Sequence, residues 1–354
     1  MDETTFRILD TLWRETGRPI SILELTSRIR EFYGTAHYPN IYGKIRALTK
    51  GGAINLTKTG RSSLASLNFA NYLLADLLTE LELKRKHDLL MKSNELQSLF
   101  RDIEERYEDI RSIESISAID PQRNFKLNRT ELLILLHRSE GDDNLREIIN
   151  VYEIAWGLQA IHNIKLDLLI LTTDEFLDFL RSDETNPLRE MLANKIAFHS
   201  PQKFWSKITA AQAGGYRIKL LERKTNPARI PERDLIFNLA RFGYKEIGLE
   251  IVRGERICIE YIIVSIMMKE DARRIDAIPI ILAKSEANYN LLTFLSQKYA
   301  LSGRLLGLLK ALNRVRSTKE TANAIEILEA LKTKEIKADH RTIEKKMRLY
   351  NVVG

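Results

Sequence analysis

The chain has 354 residues, of which 44% are hydrophobic and 29% charged, with a formal net charge of +7. That is enough apolar material for cores in two or three domains, and the surplus of cations favours an anionic partner. No apolar run approaches the roughly 20 residues of a membrane-spanning helix, the start "MDETTFRILD" lacks a secretory leader's basic and apolar regions, and the lone Cys258 excludes an internal disulfide; a cytoplasmic protein with no membrane partner is expected.

"TFRILDTLWRE" places Phe6, Ile8, Leu9, Leu12 and Trp13 near helical spacing and is closed by Gly17 and Pro19. "SILELTSRIREFYG" predicts a second helix, with Ser21 as N-cap and Gly34 as stop. "PNIYGKIRALTKGG" predicts a third, with Pro39 in its first turn and Ile41, Ile45 and Leu48 on one face. "AINLT", the turn "KTGR" and "SSLASL" then predict a short hairpin. Three helices followed by a hairpin resemble a winged helix-turn-helix across about 65 residues, taken here as residues 1–68.

Charge agrees with that resemblance. From Phe32 to Ala75 there is no Asp or Glu, in a chain where 48 of 354 residues are acidic. With the apolar stripe turned inward, Gly43, Arg46 and Lys50 face outward, and Asn40, Tyr42 and Lys44 flank them. The resemblance implies that this face enters the major groove of double-stranded DNA. Lys44, and Lys58 and Arg61 at the hairpin tip, are then expected on phosphates. The alternative is a protein-binding module with an ordinarily solvated basic face.

Between Asn68 and Ile113 there is no Gly or Pro, and leucines recur at helical spacing. One or two long helices are predicted over residues 69–112, packing against a twin to form a homodimer or spacing two domains.

The middle region alternates strands and helices. "SIESISAI" predicts a strand, followed by Asp120 and Pro121, the strand "TELLILL", the helix "NLREIINVYEIAWGLQ" and the strand "KLDLLIL". The helices "TTDEFLDFLRS" and "NPLREMLANK" and a short strand "IAFHS" complete it. This order, and most of all the run from "KLDLLIL" to "NPLREMLANKIAF", resembles the polymerase-beta-type nucleotidyltransferases, in particular small archaeal and toxin–antitoxin-associated members. The resemblance implies a Gly-Ser pair after the first strand to cradle triphosphate, and an Asp-x-Asp with a third Asp to hold two magnesium ions. Here the cradle position is Asp120-Pro121, where Pro121 has no amide proton. The Asp-x-Asp position is Arg129-Thr130-Glu131, and the third carboxylate is Asp167. A guanidinium at a metal ligand's place opposes cation binding and cannot lose its proton. The resemblance therefore implies a degenerate site, with no catalytic residues, metal or cofactor and with Arg129 neutralising Glu131. Glu131 and Asp167 as plain strand-end carboxylates is the simpler reading.

Farther on, "LLERKTNPARIPE" has the composition of a linker, and His137 and His162 are expected at strand or helix ends. "DLIFNLARFGYKEIGLEIV", "CIEYIIVSIMMK", "IPIILAKS", "NYNLLTFLSQKYALSGRLLGLLKAL" and "TANAIEILEALK" have mainly helical spacing. The glycines of "ARFGYKEIG" and "QKYALSGRLLG" read as helix stops. "TKEIKADHRTIEKKMRLYN" ends with a basic excess expected on a solvated face.

The expected architecture is helix-rich, multidomain α+β. It comprises a winged helix (1–68), a helical connector (69–112), a nucleotidyltransferase-like α/β domain with a small mixed sheet (113–213) and an α-helical C-terminal domain (214–354). The expected function is a DNA-binding transcriptional regulator whose inactive nucleotidyltransferase-like domain binds a ligand or a protein partner. An active nucleotidyltransferase, or a toxin–antitoxin component acting on nucleic acid or a partner protein, stays open as the alternative.

Overall fold

The computed structural model describes residues 1–137, 143–216, 218, 220, 225–245 and 253–352. Among them the chain is α+β and mostly helical. It begins with α1 (Glu3–Arg14), β1 (Ile20–Ser21), α2 (Ile22–Tyr33), α3 (Tyr38–Lys50), β2 (Ile54–Thr59) and β3 (Ser62–Leu67). The Asp2 side chain caps α1 by accepting from the Thr5 N–H. Ser21 caps α2 through the Glu24 N–H at 3.1 Å, and Gly34 ends it at φ 81°. The hairpin closes through Gly60-Arg61, with Thr59 paired to Ser62 and Gly60 at φ 59°. β1, absent from the sequence reading, pairs with β3 through Ile20 and Ala65, so the small sheet runs β1-β3-β2.

The connector is two helices, α4 (Leu74–Leu90) and α5 (Asn94–Tyr107), separated at Met91. Ser93 restarts the second helix by capping the Leu96 N–H. The apolar sides that suggested a homodimer are used within the chain. Leu74, Leu78, Leu81 and Leu89 of α4 and Leu96, Leu99, Phe100 and Ile103 of α5 are all buried, whereas Tyr72, Leu73, Leu83 and Met91 are exposed.

Next come β4 (Ile113–Ile119), α6 (Pro121–Phe125), β5 (Arg129–Leu136), α7 (Asp143–His162), β6 (Lys165–Thr172), α8 (Thr173–Arg181), α9 (Pro187–Met191) and β7 (Lys195–His199). The sheet order is β6-β5-β4-β7. β5 and β6 are parallel, joined by the α7 crossover, and β4 is antiparallel to both β5 and β7. β5 and β6 are near-continuous apolar runs because both faces are covered. Leu132, Ile134, Leu168 and Ile170 pack with α5 and α7, and Leu133, Leu135, Leu169 and Leu171 join the larger core on the other side. A Thr172–Glu175 capping box starts α8. "NPLREMLANK" forms only the short α9 and a 3-10 turn before β7.

α10 (Pro201–Ala213) follows, then α11 (Glu232–Arg241), α12 (Ile259–Lys269), α13 (Ala272–Ile275), α14 (Ile278–Lys284), α15 (Tyr289–Lys298), α16 (Ser302–Val315), α17 (Lys319–Ala330) and α18 (His340–Leu349). The parts of the expected linker and of the α11 continuation at residues 221–224 and 246–252 lie outside the described residues. Gly243, at φ 85°, ends α11 as expected. Gly303 stops nothing: the break is at Ala300, φ 57°, and Gly303 sits inside α16. A β-carbon on Gly303 would stand 2.4 Å from the Lys334 carbonyl oxygen, and one on Gly307 2.0 Å from that of Ile336. The two glycines let residues 333–338 cross α16 at backbone contact, with the Ile336 N–H donating to Gly303 at 2.9 Å. No helix among the described residues is long and apolar enough to cross a membrane.

The N-terminal elements share the larger core with the rest of the chain. Trp13 is fully buried edge-on to Trp205, centroids 4.5 Å apart, and its indole N–H donates to the Leu192 carbonyl at 3.2 Å. Beside it lies a buried ionic chain. Asp10 of α1 contacts Arg85 of α4, and Arg85 reaches Glu82 at 3.3 Å. Glu82 takes the Lys195 ammonium of β7 at 2.5 Å and the Ala197 N–H at 2.9 Å. Burial pushes the Glu82 carboxyl up and the Lys195 ammonium down to about 8. Phe204 and Trp205 each present a ring 4.4 Å from that ammonium.

Candidate functional site

α3 packs into the N-terminal unit by Ile41 and Ile45 and leaves its other side to solvent. Asn40, Tyr42, Arg46 and Lys50 are exposed there, as are Lys58 and Arg61 at the hairpin tip. Arg46, Lys50, Lys58 and Arg61 have no ion-pair or hydrogen-bond partner among the described residues. Elsewhere exposed cations are commonly paired: Arg18 lies 2.9 Å from Glu24, and Arg348 lies 2.9 Å from Glu344. Lys44 departs from expectation. Its ammonium is 2.9 Å from Asp2, which lies outside the acid-free window, and the bond holds the Asp2 carboxyl well below its ordinary range. In the free chain Lys44 is thus paired with Asp2. Tyr42 stacks on the equally exposed Tyr38, centroids 5.9 Å apart. Gly43 has open space where a β-carbon would stand.

The second candidate lies where β5 and β6 begin. Their register pairs Arg129 with Lys165 and Glu131 with Asp167. Alternation puts both carboxylates on the face of Leu133 and Leu169. Both are buried, Asp167 completely. Three cations serve them. Arg129 Nε contacts Asp167 and is 3.8 Å from Glu131, Lys165 Nζ is 3.0 Å from Asp167, and Lys298 Nζ is 2.7 Å from Glu131. Arg129 therefore serves chiefly Asp167, and the direct partner of Glu131 is a lysine 167 residues away in sequence. The C-terminal end of α15 completes the interlock. The Lys298 carbonyl accepts from Arg129 at 3.3 Å and the Gln297 carbonyl from Lys165 at 3.0 Å. The partially negative end of that helix suits two cations.

No protein-family model, curated protein or solved structure matches the chain.

At the end of β4, Asp120 takes a left-handed conformation, φ 45°. Its N–H donates to the Asn194 carbonyl at 2.9 Å, and its carbonyl accepts from Arg123 and Asn124. Pro121 opens α6, so the turn offers no run of free amides. A cleft of about 260 Å³ beside it is lined by Asp120, Arg123, Glu131, Glu190, Tyr261 and Tyr299, among others. Burial raises the Glu190 carboxyl, and burial with the nearby Glu131 and Glu190 pushes the Tyr299 hydroxyl up to about 12. Magnesium requires near-octahedral oxygen ligation. Two carboxylates already bonded to three cations do not supply it, and no group of three or more His, Cys, Asp or Glu among the described residues is placed to hold a metal.

The strand pattern pointed to Glu131 and Asp167 and the nucleotidyltransferase resemblance to Arg129, and both missed the other partners. Lys165 was within reach, two residues before Asp167 on the same side of the strand. Lys298 and Asp2 carry no local signal, because their partners are 167 and 42 residues away.

Proposed function

We propose that the protein binds double-stranded DNA through α3 and the β2–β3 hairpin and acts as a transcriptional regulator. Residues 1–68 form its winged helix. The observation that carries this reading is the set of four exposed, unpartnered cations, Arg46, Lys50, Lys58 and Arg61, on a surface whose own sequence window has no acid. Helix-in-groove binding uses such a layout, with groove contacts from the helix and phosphate contacts from the hairpin. Neutralising about two to four phosphates, the hairpin pair with or without Lys50 and Arg46, gives a slope of log affinity against log salt of roughly −2 to −4. Titrating the full chain with a mixed-sequence duplex at several salt concentrations tests this. Absence of binding at low salt, or unchanged affinity in Arg46→Glu with Lys50→Glu, would refute it.

The sheet region fits a nucleotidyltransferase-like domain without activity, kept for binding a ligand or protein partner. What supports the absence of activity is that Glu131 and Asp167 are already paired with Lys298, Arg129 and Lys165. An assay for metal-dependent transfer from labelled nucleoside triphosphates to DNA, RNA and protein acceptors is expected to show no product. A homodimer belongs to this reading only because two-fold half-sites suit two-fold proteins. Light scattering on the full chain checks it.

A further inference from the structure

The outward side of α3 is not uniformly cationic. At about 100° per residue from the buried Ile41, Pro39, Gly43 and Lys50 fall near the centre of that side, with Arg46 and Tyr42 toward one flank and Asn40 and Ala47 toward the other. In the first two turns the only cation is Lys44, and Asp2 holds it. The unpartnered cations come later, at Arg46 and Lys50 and then at the hairpin tip. A surface built only to neutralise phosphate has no reason to keep charge out of the first half of its helix. In helix-in-groove docking the N-terminal part of the helix meets base edges, and Arg46 stands one residue beyond those two turns on the same outward side. Asn40 and Arg46 are the two outward side chains able to make paired hydrogen bonds to one base, and neither has a partner among the described residues. They flank Gly43, which has no side chain to stand between them.

Resting on the DNA-binding reading above, we infer that this surface reads sequence, with a guanine under Arg46 and an adenine under Asn40. Arg46 would span guanine O6 and N7, and Asn40 would span adenine N6 and N7. Lys50, Lys58 and Arg61 would hold the flanking phosphates and set register.

The test is selection by the full chain from duplexes with randomised centres, followed by titration of the enriched site. Wild type, Asn40→Ala, Arg46→Ala and Arg46→Lys are compared on that site and on duplexes with single base pairs exchanged. All these positions are exposed, so the fold is retained. The enriched site is expected to contain a G·C and an A·T pair whose exchange weakens wild type about 5- to 150-fold each. Asn40→Ala should erase the preference at the A·T pair alone. Arg46→Lys keeps the charge but loses the fork, so it should erase the preference at the G·C pair while preserving the salt slope. Binding without any enriched motif would overturn sequence reading and leave DNA binding standing, as would variants that weaken every duplex alike. No binding to any duplex at low salt would overturn both readings.

Discussion

Replacing Glu82 by Gln removes the charge that allows Lys195 to be buried. Both side chains are completely buried, with 2.5 Å between ammonium and carboxylate. In Glu82→Gln the ammonium keeps the rings of Trp13, Phe204 and Trp205 but faces Arg85 without an intervening anion. It must remain charged in an apolar site or give up its proton. Giving it up at pH 7 costs about 1.4 kcal/mol for each unit between the pH and the ordinary lysine value, an upper bound near 5 kcal/mol. Breaking one side of a buried pair typically costs about 3–5 kcal/mol, so the single variant should fall in that range. Glu82→Gln with Lys195→Met leaves no unpaired charge and should recover at least about 2 kcal/mol of the loss. Urea unfolding followed by tryptophan fluorescence is suited to the measurement, because Trp13 and Trp205 both lie against the ammonium. A single-variant cost under about 1 kcal/mol, or a double variant as unstable as the sum of the singles, would refute the reasoning.

Glu260 is fully buried, its carboxylate accepts the Asn288 N–H at 2.7 Å, and burial raises its pKa to about 7. The folded state therefore holds a proton that the unfolded chain releases above about pH 4.5, so stability should fall as pH rises from about 4.5 to 7 and level off beyond. Glu260→Gln should flatten that dependence and stabilise at pH 8 by up to on the order of 3 kcal/mol, read from unfolding curves across pH. Gly307→Ala should force residues 333–338 off α16 at a cost of about 1–3 kcal/mol, seen as faster proteolysis near Lys334 and faster amide exchange at Ile336 than in wild type. Calorimetry with magnesium or manganese should show no binding at the Glu131–Asp167 pair in wild type, and Lys298→Ala should destabilise by about 1–3 kcal/mol without creating a metal site, since Arg129 and Lys165 remain.

The sequence was legible wherever the determinant is local. β5 and β6 could be read because strands covered on both faces are apolar at nearly every position. Ser21 announced α2 because a cap and its partner are three residues apart. β1 was illegible: two residues have no periodicity, and Ile20 pairs with Ala65. The break at Met91 has no Gly or Pro to mark it. Gly303 was misread because a glycine needed for close backbone approach looks, in sequence, like one needed for a stop. Of the two candidate sites, the exposed face of α3 follows from helical spacing. The neutralisation of Glu131 depends on how α15 docks, and no short-range pattern encodes that.

Trp13 and Trp205 sit on opposite sides of any boundary drawn near residue 68, yet they form one contact. A fragment ending there would leave Trp13 without its ring partner, and the complementary fragment would leave Trp205 without its own. Each half would be sticky alone. The unit that carries α3 is therefore not a detachable head that recombination could move onto a foreign body, or that a truncation could isolate for study. It and the sheet it leans on can be exchanged or inherited only together, and substitutions at Trp13 and Trp205 should be accepted as a pair.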